Sequence, residues 1–230
     1  MAGSDPKRWS SGSAELSAWR SVSFDLDGTF ADTSTDLADA LNTLRLELGR
    51  QALPVPDVAR HVGRGARWLV ANCIDGVADD AIDELVLRFL DHYAGCCCRT
   101  TAPYEGLEQL VQTLRARGVI VSIATNKPRR FTELIIDGLG WGEWFDSVHC
   151  GDDGPSKPDP AMLHAAMKHA GTAPHEHLHI GDTPTDARAA ENAGCWFTPV
   201  AWGMDVGAAL KTLMPVGFER SSQLVSAWGS

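Results

Sequence analysis

The sequence predicts an α/β protein in which a parallel sheet carries helices on both faces and a helical segment is inserted near the start. The main observation is that short β-type runs alternate with amphipathic helical patterns along most of the chain. A second is that residues 33–99 show helical periodicity only. A third is that polar residues follow several β-type runs, at the edge where parallel sheets bind ligands.

Five short segments are predicted as strands. They are residues 21–26, 119–125, 145–150, 177–181 and 195–201. Each combines apolar or β-branched residues with turn signals or helical patterns on either side. Because helical segments separate the later strands, crossover connections are expected and the sheet should be parallel, with both faces covered.

Three helical segments follow from periodicity and end signals. One apolar stripe, with Gly118 as its stop signal, consists of Leu107, Leu110, Val111 and Leu114. A second helix should begin at Asp159-Pro160, because Asp can cap a helix and Pro suits its first turn. A third is expected over residues 185–194.

The insertion after the first strand carries two apolar stripes at helical spacing. They consist of Leu37, Leu41, Leu44 and Leu48, and of Ile82, Leu85, Val86 and Phe89. The segment is long for a single crossover, so a separate cap domain is predicted; the alternative is that its helices pack as an ordinary crossover. The expected organisation is a flexible extension (1–20), a core (21–32 and 100–230) and a helical cap (33–99).

Composition restricts the partners of this chain. The 230 residues carry a formal net charge of −10, which argues against a protein that binds the phosphate backbone of nucleic acids. A small anionic substrate is compatible with this charge, because a few local cations or one metal ion can reverse the field inside a pocket.

Cysteine usage and hydropathy indicate a cytoplasmic protein. Six cysteines are present, three of them consecutive at 96–98, and their spacing suggests neither a zinc site nor a disulfide framework. The first twenty residues lack the apolar centre of a signal peptide. No apolar run approaches the roughly 20 residues of a membrane span, so we expect no membrane partner.

Two aspartates at the end of the first predicted strand are the strongest chemical signal. In the run Asp25-Leu26-Asp27-Gly28-Thr29, alternation along a strand places Asp25 and Asp27 on one side. Two carboxylates at this spacing can divide their work: one attacks or holds a metal, and the other transfers a proton. Burying two acids in an apolar run is costly without metal or other partners, which favours a functional reading over a simple turn.

Three more polar groups are predicted at the same sheet edge. Thr125-Asn126 offers a hydroxyl and backbone N–H groups to phosphate oxygens. Lys157 offers a cation. Asp182 and Asp186, four residues apart at the start of a helix, offer carboxylate oxygens to a hard cation. Read alone, these residues could be a strand-end cap, a surface lysine and first-turn helix acids; their combination favours function.

These four groups, in this order and spacing, resemble the motifs of the haloacid dehalogenase superfamily, and the resemblance covers roughly residues 21–205. It implies a Rossmann-like core sheet with strand order 3-2-1-4-5. The helical insertion then corresponds to the cap of the first type. Within the superfamily, an aspartate two residues after the nucleophile, here Asp27, is typical of phosphatases and phosphomutases, so the resemblance implies chemistry on a phosphate ester.

The resemblance also implies a role for each residue. Asp25 would be the nucleophile that becomes an aspartyl phosphate, and Asp27 the acid and base. Mg²⁺ would be held by Asp25, the backbone carbonyl of Asp27 and Asp182, with support from Asp186. Thr125 and the Asn126 N–H would bind the transferring phosphoryl oxygens, and Lys157 would offset the negative charge.

The subgroup that the chain most resembles is the phosphoglycolate phosphatase-like proteins. The resemblance is carried by residues 24–29, by Ala31-Asp32-Thr33, by the segment 61–66 and by Lys157-Pro158-Asp159-Pro160. Phe30 and the pair Thr183-Pro184 depart from the usual pattern, so the substrate stays open. It is expected to be a small phosphorylated metabolite bound by a monomer or homodimer.

Alternatives remain at several positions. A pyrophosphatase, a β-phosphoglucomutase-like transferase and, less favoured, a non-catalytic phosphate-binding module fit the same scaffold. In the cap, Arg64 is a candidate ligand for a substrate carboxylate, and Arg67 a weaker one; both could instead be solvated surface residues. His177 and His179 would share a strand face, but without an evident third ligand they are predicted to be structural rather than metal-binding.

Overall fold

A five-stranded parallel sheet forms the centre of the molecule. The computed structural model describes residues 19–204 and 217–228. Its main sheet consists of β1 (Ser21–Phe24), β4 (Ile120–Ala124), β5 (Ser147–His149), β6 (His177–Gly181) and β7 (Trp196–Pro199), and a short antiparallel pair consists of β2 (Ala31–Asp32) and β3 (Ala102–Pro103). The main sheet has the order β5-β4-β1-β6-β7 with parallel pairing throughout. Without the short pair, this is the expected order 3-2-1-4-5.

The helices fall into two groups along the chain. Those of the insertion are α1 (Ser34–Glu47), α2 (Val55–Ala59), α3 (Ala66–Cys73) and α4 (Ile82–Ala94). Those that connect or flank the main strands are α5 (Leu107–Ala116), α6 (Arg129–Gly138), α7 (Ala161–Ala170), α8 (Pro184–Ala193) and α9 (Ser221–Trp228). The predicted α/β class with an inserted helical cap is confirmed.

Helix starts follow the capping chemistry that the sequence indicates. The Asp159 carboxylate accepts a hydrogen bond from the Ala161 N–H at 2.9 Å, where α7 begins. Thr183 caps α8 and accepts from the Asp186 N–H, while the Asp186 carboxylate accepts from the Thr183 N–H, which is a capping box. The helix predicted over 185–194 therefore begins one residue earlier, at Pro184.

Both faces of the sheet are buried under helices, but the two faces differ in polarity. On one face the main apolar cluster contains Val22, Phe24, Leu178 and Ile180. On the other, α7 and α8 contact the strands and contribute to a second cluster. On this second face, the register pairs Ser21 with His177 and Ser23 with His179. A sheet buried on both sides usually has apolar residues on both, so these polar pairs require hydrogen-bond partners.

The insertion packs as a helical unit, and the segments where it leaves and rejoins the core are hydrogen-bonded to each other. Helix α1 contacts α2 and α4, and buries Leu37, Leu41 and Leu44 as predicted. The buried Asp36 carboxylate accepts hydrogen bonds from the backbone N–H and the hydroxyl groups of Thr100 and Thr101. This side chain ties the start of the insertion to its end. The exact domain boundaries stay a prediction.

The predicted N-terminal extension lies mostly outside the described residues, which begin at Trp19. Its last two residues belong to the fold. Trp19 is buried and meets the Trp196 ring edge-on at 5.4 Å. The Arg20 N–H donates to the Glu176 carbonyl, and the Arg20 carbonyl accepts from the Ile120 N–H. The expectation of flexibility up to residue 20 is therefore wrong at these two positions, because an indole that size gains stability by burial.

In the described part of the chain, none of the helices combines the length and apolar character needed to cross a membrane.

Candidate active site

The Lys157 amine contacts oxygen atoms at or just beyond the ends of three strands. Its amine lies 3.1 Å from Asp25 Oδ1 and 2.6 Å from Asp186 Oδ1, and donates to the Ala124 carbonyl at 2.7 Å. The Lys157 side chain is almost fully buried. A buried amine needs several acceptors, and Lys157 finds them at one point of the sheet edge. The convergence of residues 25, 157 and 186 that the sequence predicts is therefore present.

Three buried carboxylates converge beside this amine. Asp25, Asp182 and Asp186 each offer an oxygen, and these oxygens lie within 4.8 Å of one another. Burial raises the pKa of Asp25 to about 6, with Asp186 and Asp27 adding to the rise and Lys157 opposing it. Burial, followed by repulsion from Asp25 and Asp186, also raises the pKa of Asp182 well above its ordinary value. Such a cluster requires a cation to remain ionised.

The donor set fits a hard divalent cation. Carboxylate oxygens are the ligands that hard divalent cations prefer. Around the site, four carboxylates (Asp25, Asp27, Asp182 and Asp186) face two amines, Lys127 and Lys157, which leaves two negative charges for a divalent ion to neutralise. Among the described residues, no ion pair is formed by Asp182. The cluster therefore has the charge and the ligand type that a bound divalent cation would complete.

The Asp182 side chain is held on both of its oxygens. Thr29 Oγ1 donates to Oδ1 and the Met204 N–H donates to Oδ2, each at 2.9 Å. Gly28 and Gly203 pass so close that a Cβ at either position would collide with this carboxylate. The glycine of the Asp-Gly-Thr run thus permits the close packing that fixes Asp182, in addition to making the turn.

Asp27 has a different environment from the three clustered acids. Its carboxylate accepts from Lys127 Nζ at 2.8 and 3.0 Å and from Thr33 Oγ1 at 2.6 Å. The Lys127 amine also lies 4.7 Å above the Tyr93 ring of α4. The Asp27 carboxylate is not a member of the cluster of Asp25, Asp182 and Asp186. The predicted contribution of Asp27 to a metal site through its backbone carbonyl stays a prediction.

Thr125 and Asn126 lie where β4 ends. Thr125 is buried, and its hydroxyl accepts from the Lys127 N–H at 3.2 Å. The Asn126 amide donates to the Gly63 carbonyl of the cap and to the Lys157 carbonyl, and its oxygen accepts from the Lys157 N–H. Asn126 therefore joins the loops that carry Thr125 and Lys157 to the cap.

A cleft opens between the cap and these residues. Its polar lining includes Asp25, Asp27, Thr125, Asn126 and Lys127, and its apolar lining comes mainly from α3, α4 and the loop before α3. Arg64 is not part of this lining. Its guanidinium instead stacks over the Trp68 ring at 4.8 Å, and Arg67 pairs with surface acids. A role for Arg64 in substrate binding stays a prediction.

Three residues of the site were not assigned a role from the sequence. Lys127 pairs with Asp27, Thr33 donates to Asp27, and Thr29 donates to Asp182. The signal for Lys127 was its position two residues after Thr125, on the same sheet edge. Thr29 and Thr33 lie next to recognisable motif residues, but a hydroxyl gives no sequence signal of which carboxylate it will reach.

Comparison with known proteins agrees with this geometry. The family model for haloacid dehalogenase-like hydrolases matches residues 19–194. A phosphoglycolate phosphatase of Pseudomonas putida is 37% identical over 203 residues, covering 85% of this chain and 74% of that protein. The corresponding protein of Psychrobacter arcticus is 32% identical, covering 88% and 92%.

Solved structures give the same fold. The crystal structure of a predicted phosphoglycolate phosphatase from Haemophilus somnus 129PT superposes with a TM-score of 0.83 at 23% identity, covering 91% of this chain and 97% of that one. The matched region contains the cap and the four motifs, so the predicted relation to phosphoglycolate phosphatase-like enzymes is confirmed. The chain is an enzyme of the haloacid dehalogenase-like hydrolase family.

Proposed function

We propose that this protein is a Mg²⁺-dependent phosphatase that hydrolyses a small phosphorylated metabolite through an aspartyl phosphate on Asp25. The observation that carries the proposal is the division of the acids into two environments. Asp25 belongs to the buried cluster with Asp182 and Asp186, whereas Asp27 is held apart by Lys127. A nucleophile and a separate proton-transfer group are what a covalent phosphatase mechanism requires.

In the first half-reaction, Asp25 attacks phosphorus and the bond to the ester oxygen breaks. Asp27 gives its proton to the departing alkoxide. In the second half-reaction, Asp27 takes a proton from water, which attacks the phosphorus of the aspartyl phosphate and releases inorganic phosphate with Asp25 restored. Lys127 and Thr33 hold the Asp27 carboxylate in one orientation for both transfers.

Charge neutralisation makes the attack possible. A carboxylate and a phosphate dianion repel each other, so the reaction depends on positive charge placed in advance. Lys157 supplies part of it at 3.1 Å from Asp25. Mg²⁺, when bound by Asp25 and Asp182 with Asp186 in support, would supply the rest by neutralising phosphoryl oxygens. The Thr125 hydroxyl and the Asn126 N–H are proposed to bind the remaining oxygens.

The relatives support a small substrate. The curated relatives are phosphoglycolate phosphatases, and phosphoglycolate carries a carboxylate close to its phosphate. On the basis of these relatives, we propose 2-phosphoglycolate or a similar metabolite as substrate. Cytoplasmic location and a monomeric or homodimeric state stay predictions.

The test is phosphate release by the purified full-length protein from 2-phosphoglycolate, a sugar phosphate and pyrophosphate, with Mg²⁺ and with chelator. We expect release from at least one monoester with Mg²⁺, reversible loss with chelator, and loss by several orders of magnitude in Asp25→Asn. Near-normal turnover in Asp25→Asn would contradict the nucleophile. Preference for pyrophosphate would favour a pyrophosphatase. Phosphoryl exchange between sugars without net release would favour a mutase.

A further inference from the structure

A continuous line of buried polar side chains crosses the sheet and ends at the active site. We call it the Ser–His chain: Thr172, Ser21, His177, Ser23, His179 and Asp186. Successive members lie within hydrogen-bond distance. It starts at the half-buried Thr172, on a groove at the opposite edge of the sheet, and its last member touches the Lys157 amine.

The register of the sheet produces this line. Parallel pairing places Ser21 beside His177 and Ser23 beside His179, and alternation along each strand turns all four towards α7 and α8. The patterns Ser-Val-Ser-Phe and His-Leu-His-Ile are therefore complementary. These four residues are fully buried. Polar groups in such a position would destabilise the core unless each found a partner.

Hydrogen-bond chemistry gives the donors and acceptors of the Ser–His chain one direction. Asp186 Oδ1 can only accept when ionised, so His179 Nε2, at 3.2 Å, must donate. The His179 ring is fully buried and shares the Asp186 carboxylate with the Lys157 cation, so a second buried cation here would be costly and the ring is neutral. A neutral ring that donates through Nε2 accepts through Nδ1. This Nδ1 lies 2.9 Å from the Ser23 hydroxyl and 3.2 Å from the Ser23 carbonyl, which cannot donate, so the hydroxyl is the donor.

The same argument continues to the start of the chain. Because the Ser23 proton goes to His179, the Ser23 oxygen accepts from His177 Nε2 at 3.0 Å. His177 Nδ1 then accepts from the Ser21 hydroxyl at 2.6 Å, and the Ser21 oxygen accepts from Thr172 at 2.7 Å. Every proton points towards Asp186, and both rings have the proton on Nε2.

Asp186 is thereby held from three sides. Its Oδ1 accepts from Lys157 at 2.6 Å and from His179, while its Oδ2 accepts from the Thr183 N–H and hydroxyl. Lys157 and Thr183 lie outside the strands, and Lys157 also contacts Asp25. His179 lies on β6, which is paired with a strand on each side, so its backbone position is fixed by the sheet.

We infer that His179 is a positioning residue, held in a single tautomer by the Ser–His chain, that orients the Asp186 carboxylate for Lys157 and for the divalent ion. This inference rests on the proposed function for the role of Asp186. Aligned hydrogen bonds polarise one another in a dry interior, and partners of this kind that orient metal-site ligands typically change metal affinity or activity by about 10–100-fold when removed.

The experiment compares His179→Leu with His179→Gln, whose amide can donate from nearly the same place. Ser147→Ala is the control, because Ser147 is a hydrogen-bonded serine on β5, an edge strand of the same sheet, and is not a member of the Ser–His chain. For His179→Leu we expect the Mg²⁺ dissociation constant, measured by calorimetry, to rise by about 10–100-fold with a fall in kcat in the same range. His179→Gln should recover most of this loss, and Ser147→Ala should match wild type.

A spectroscopic measurement tests the proton positions in the Ser–His chain independently of enzyme activity. Long-range ¹H–¹⁵N spectra of the wild-type protein should show His177 and His179 neutral with the proton on Nε2. Ser23→Ala, which removes one hydroxyl and should leave the fold intact, should broaden or shift the His179 signals and weaken Mg²⁺ binding. An Nδ1–H tautomer in either ring, or unchanged Mg²⁺ affinity in both His179→Leu and Ser23→Ala, would overturn the inference. Absence of phosphatase activity in wild type would instead contradict the proposed function, with these two readouts unaffected.

Discussion

The amine of Lys127 contacts two groups of opposite character. One is the Asp27 carboxylate, at 2.8 and 3.0 Å, and the other is the face of the Tyr93 ring, at 4.7 Å. Both contacts are buried, so the attraction is poorly screened by water. Because Tyr93 belongs to the cap and Asp27 to the core, this single side chain connects the orientation of Asp27, the proposed proton-transfer group, to the position of the cap.

Replacing Lys127 by Met should therefore impair proton transfer more than substrate binding. Loss of the amine leaves the Asp27 carboxylate without its cation, and we expect kcat to fall by about 10–100-fold, within the range that one positioned acid or base contributes. Steady-state kinetics on the best monoester measures kcat and KM separately. Arg130→Met is the control, since Arg130 is exposed and its guanidinium lies over the neighbouring Phe131 ring. Equal kinetics in the two variants would contradict this role.

His177 makes the stability of the fold depend on pH. Burial, followed by the charges of His179 and His149, lowers its pKa from 6.5 to about 3. Between these values the unfolded chain binds a proton at this ring and the folded chain does not. The contribution of His177 to the free energy of unfolding therefore rises with pH across this window. It is fully present above pH 6.5 and is lost as the pH falls towards the folded-state pKa.

Chemical denaturation at several pH values tests this sign. Below pH 6.5 the His177 contribution to the free energy of unfolding should decline by about 1.4 kcal/mol per pH unit in the wild type. The decline should be absent from His177→Gln, so the difference between the two curves should show it. Asp25, whose pKa is raised, makes a pH-dependent contribution to stability of the opposite sign. The effect of His177 is therefore measured as the difference between wild type and variant, in which the Asp25 contribution cancels. His175→Gln is the control because His175 is exposed. Parallel curves for wild type and His177→Gln would show that the ring is accessible to protons in the folded state.

At the scale of elements, the loop before α3 is where the cap meets the core. Gly63 in this loop has φ +98°, and its carbonyl accepts a hydrogen bond from the Asn126 side-chain amide. A Cβ at Gly63 would lie 3.0 Å from Thr183 Cγ2, in the loop that leads from Asp182 to α8. The cap therefore approaches two motif loops through one residue without a side chain.

Gly63→Ala should separate the cap from these loops. We expect kcat/KM to fall by roughly 10–100-fold, because a displacement of about 1 Å at a catalytic site has effects of that size. Gly65→Ala is a closely matched control: Gly65 also has a positive φ, of +88°, but a Cβ there meets no atom within 4 Å. Both variants carry the backbone cost of about 1–3 kcal/mol, so thermal melting should shift similarly in both. A similar loss of activity in both variants would mean that backbone strain alone is responsible.

Elements were more predictable than the contacts between them. The five main strands were located from β-type runs, although four of them are shorter than expected because residues such as Asp25 and Thr125 leave the ladder to enter the site. Helix α8 was placed to within one residue, since local capping chemistry at Thr183 determines its start. Trp19 was missed because its burial depends on Trp196, far along the chain.

The same distinction holds for the site. Asp25, Lys157, Asp182 and Asp186 were predicted to converge, because parallel strands bring their carboxyl ends to one edge whatever the loops between them do. The Asp27–Lys127 pair and the Asn126–Gly63 contact depend on how cap and core pack, which no local pattern encodes. For the Ser–His chain, the alternation on each strand was visible, but its complementarity required the register of β1 against β6.

For the whole molecule, the charge of the site predicts that a divalent ion stabilises the fold. The chain has a net charge of −10, and the cluster of Asp25, Asp182 and Asp186 adds repulsion inside the protein. An ion that binds only the folded state stabilises it by about 2.7 kcal/mol at one hundred times its dissociation constant, which corresponds to a rise in Tm of roughly 5–10 °C for a chain of this size. Thermal melting with and without Mg²⁺ measures this rise. KCl at equal ionic strength controls for screening of surface charge, and Asp182→Asn should reduce the rise by weakening the site. An equal rise with KCl would assign the effect to screening of the net charge and contradict a specific ion at these three carboxylates.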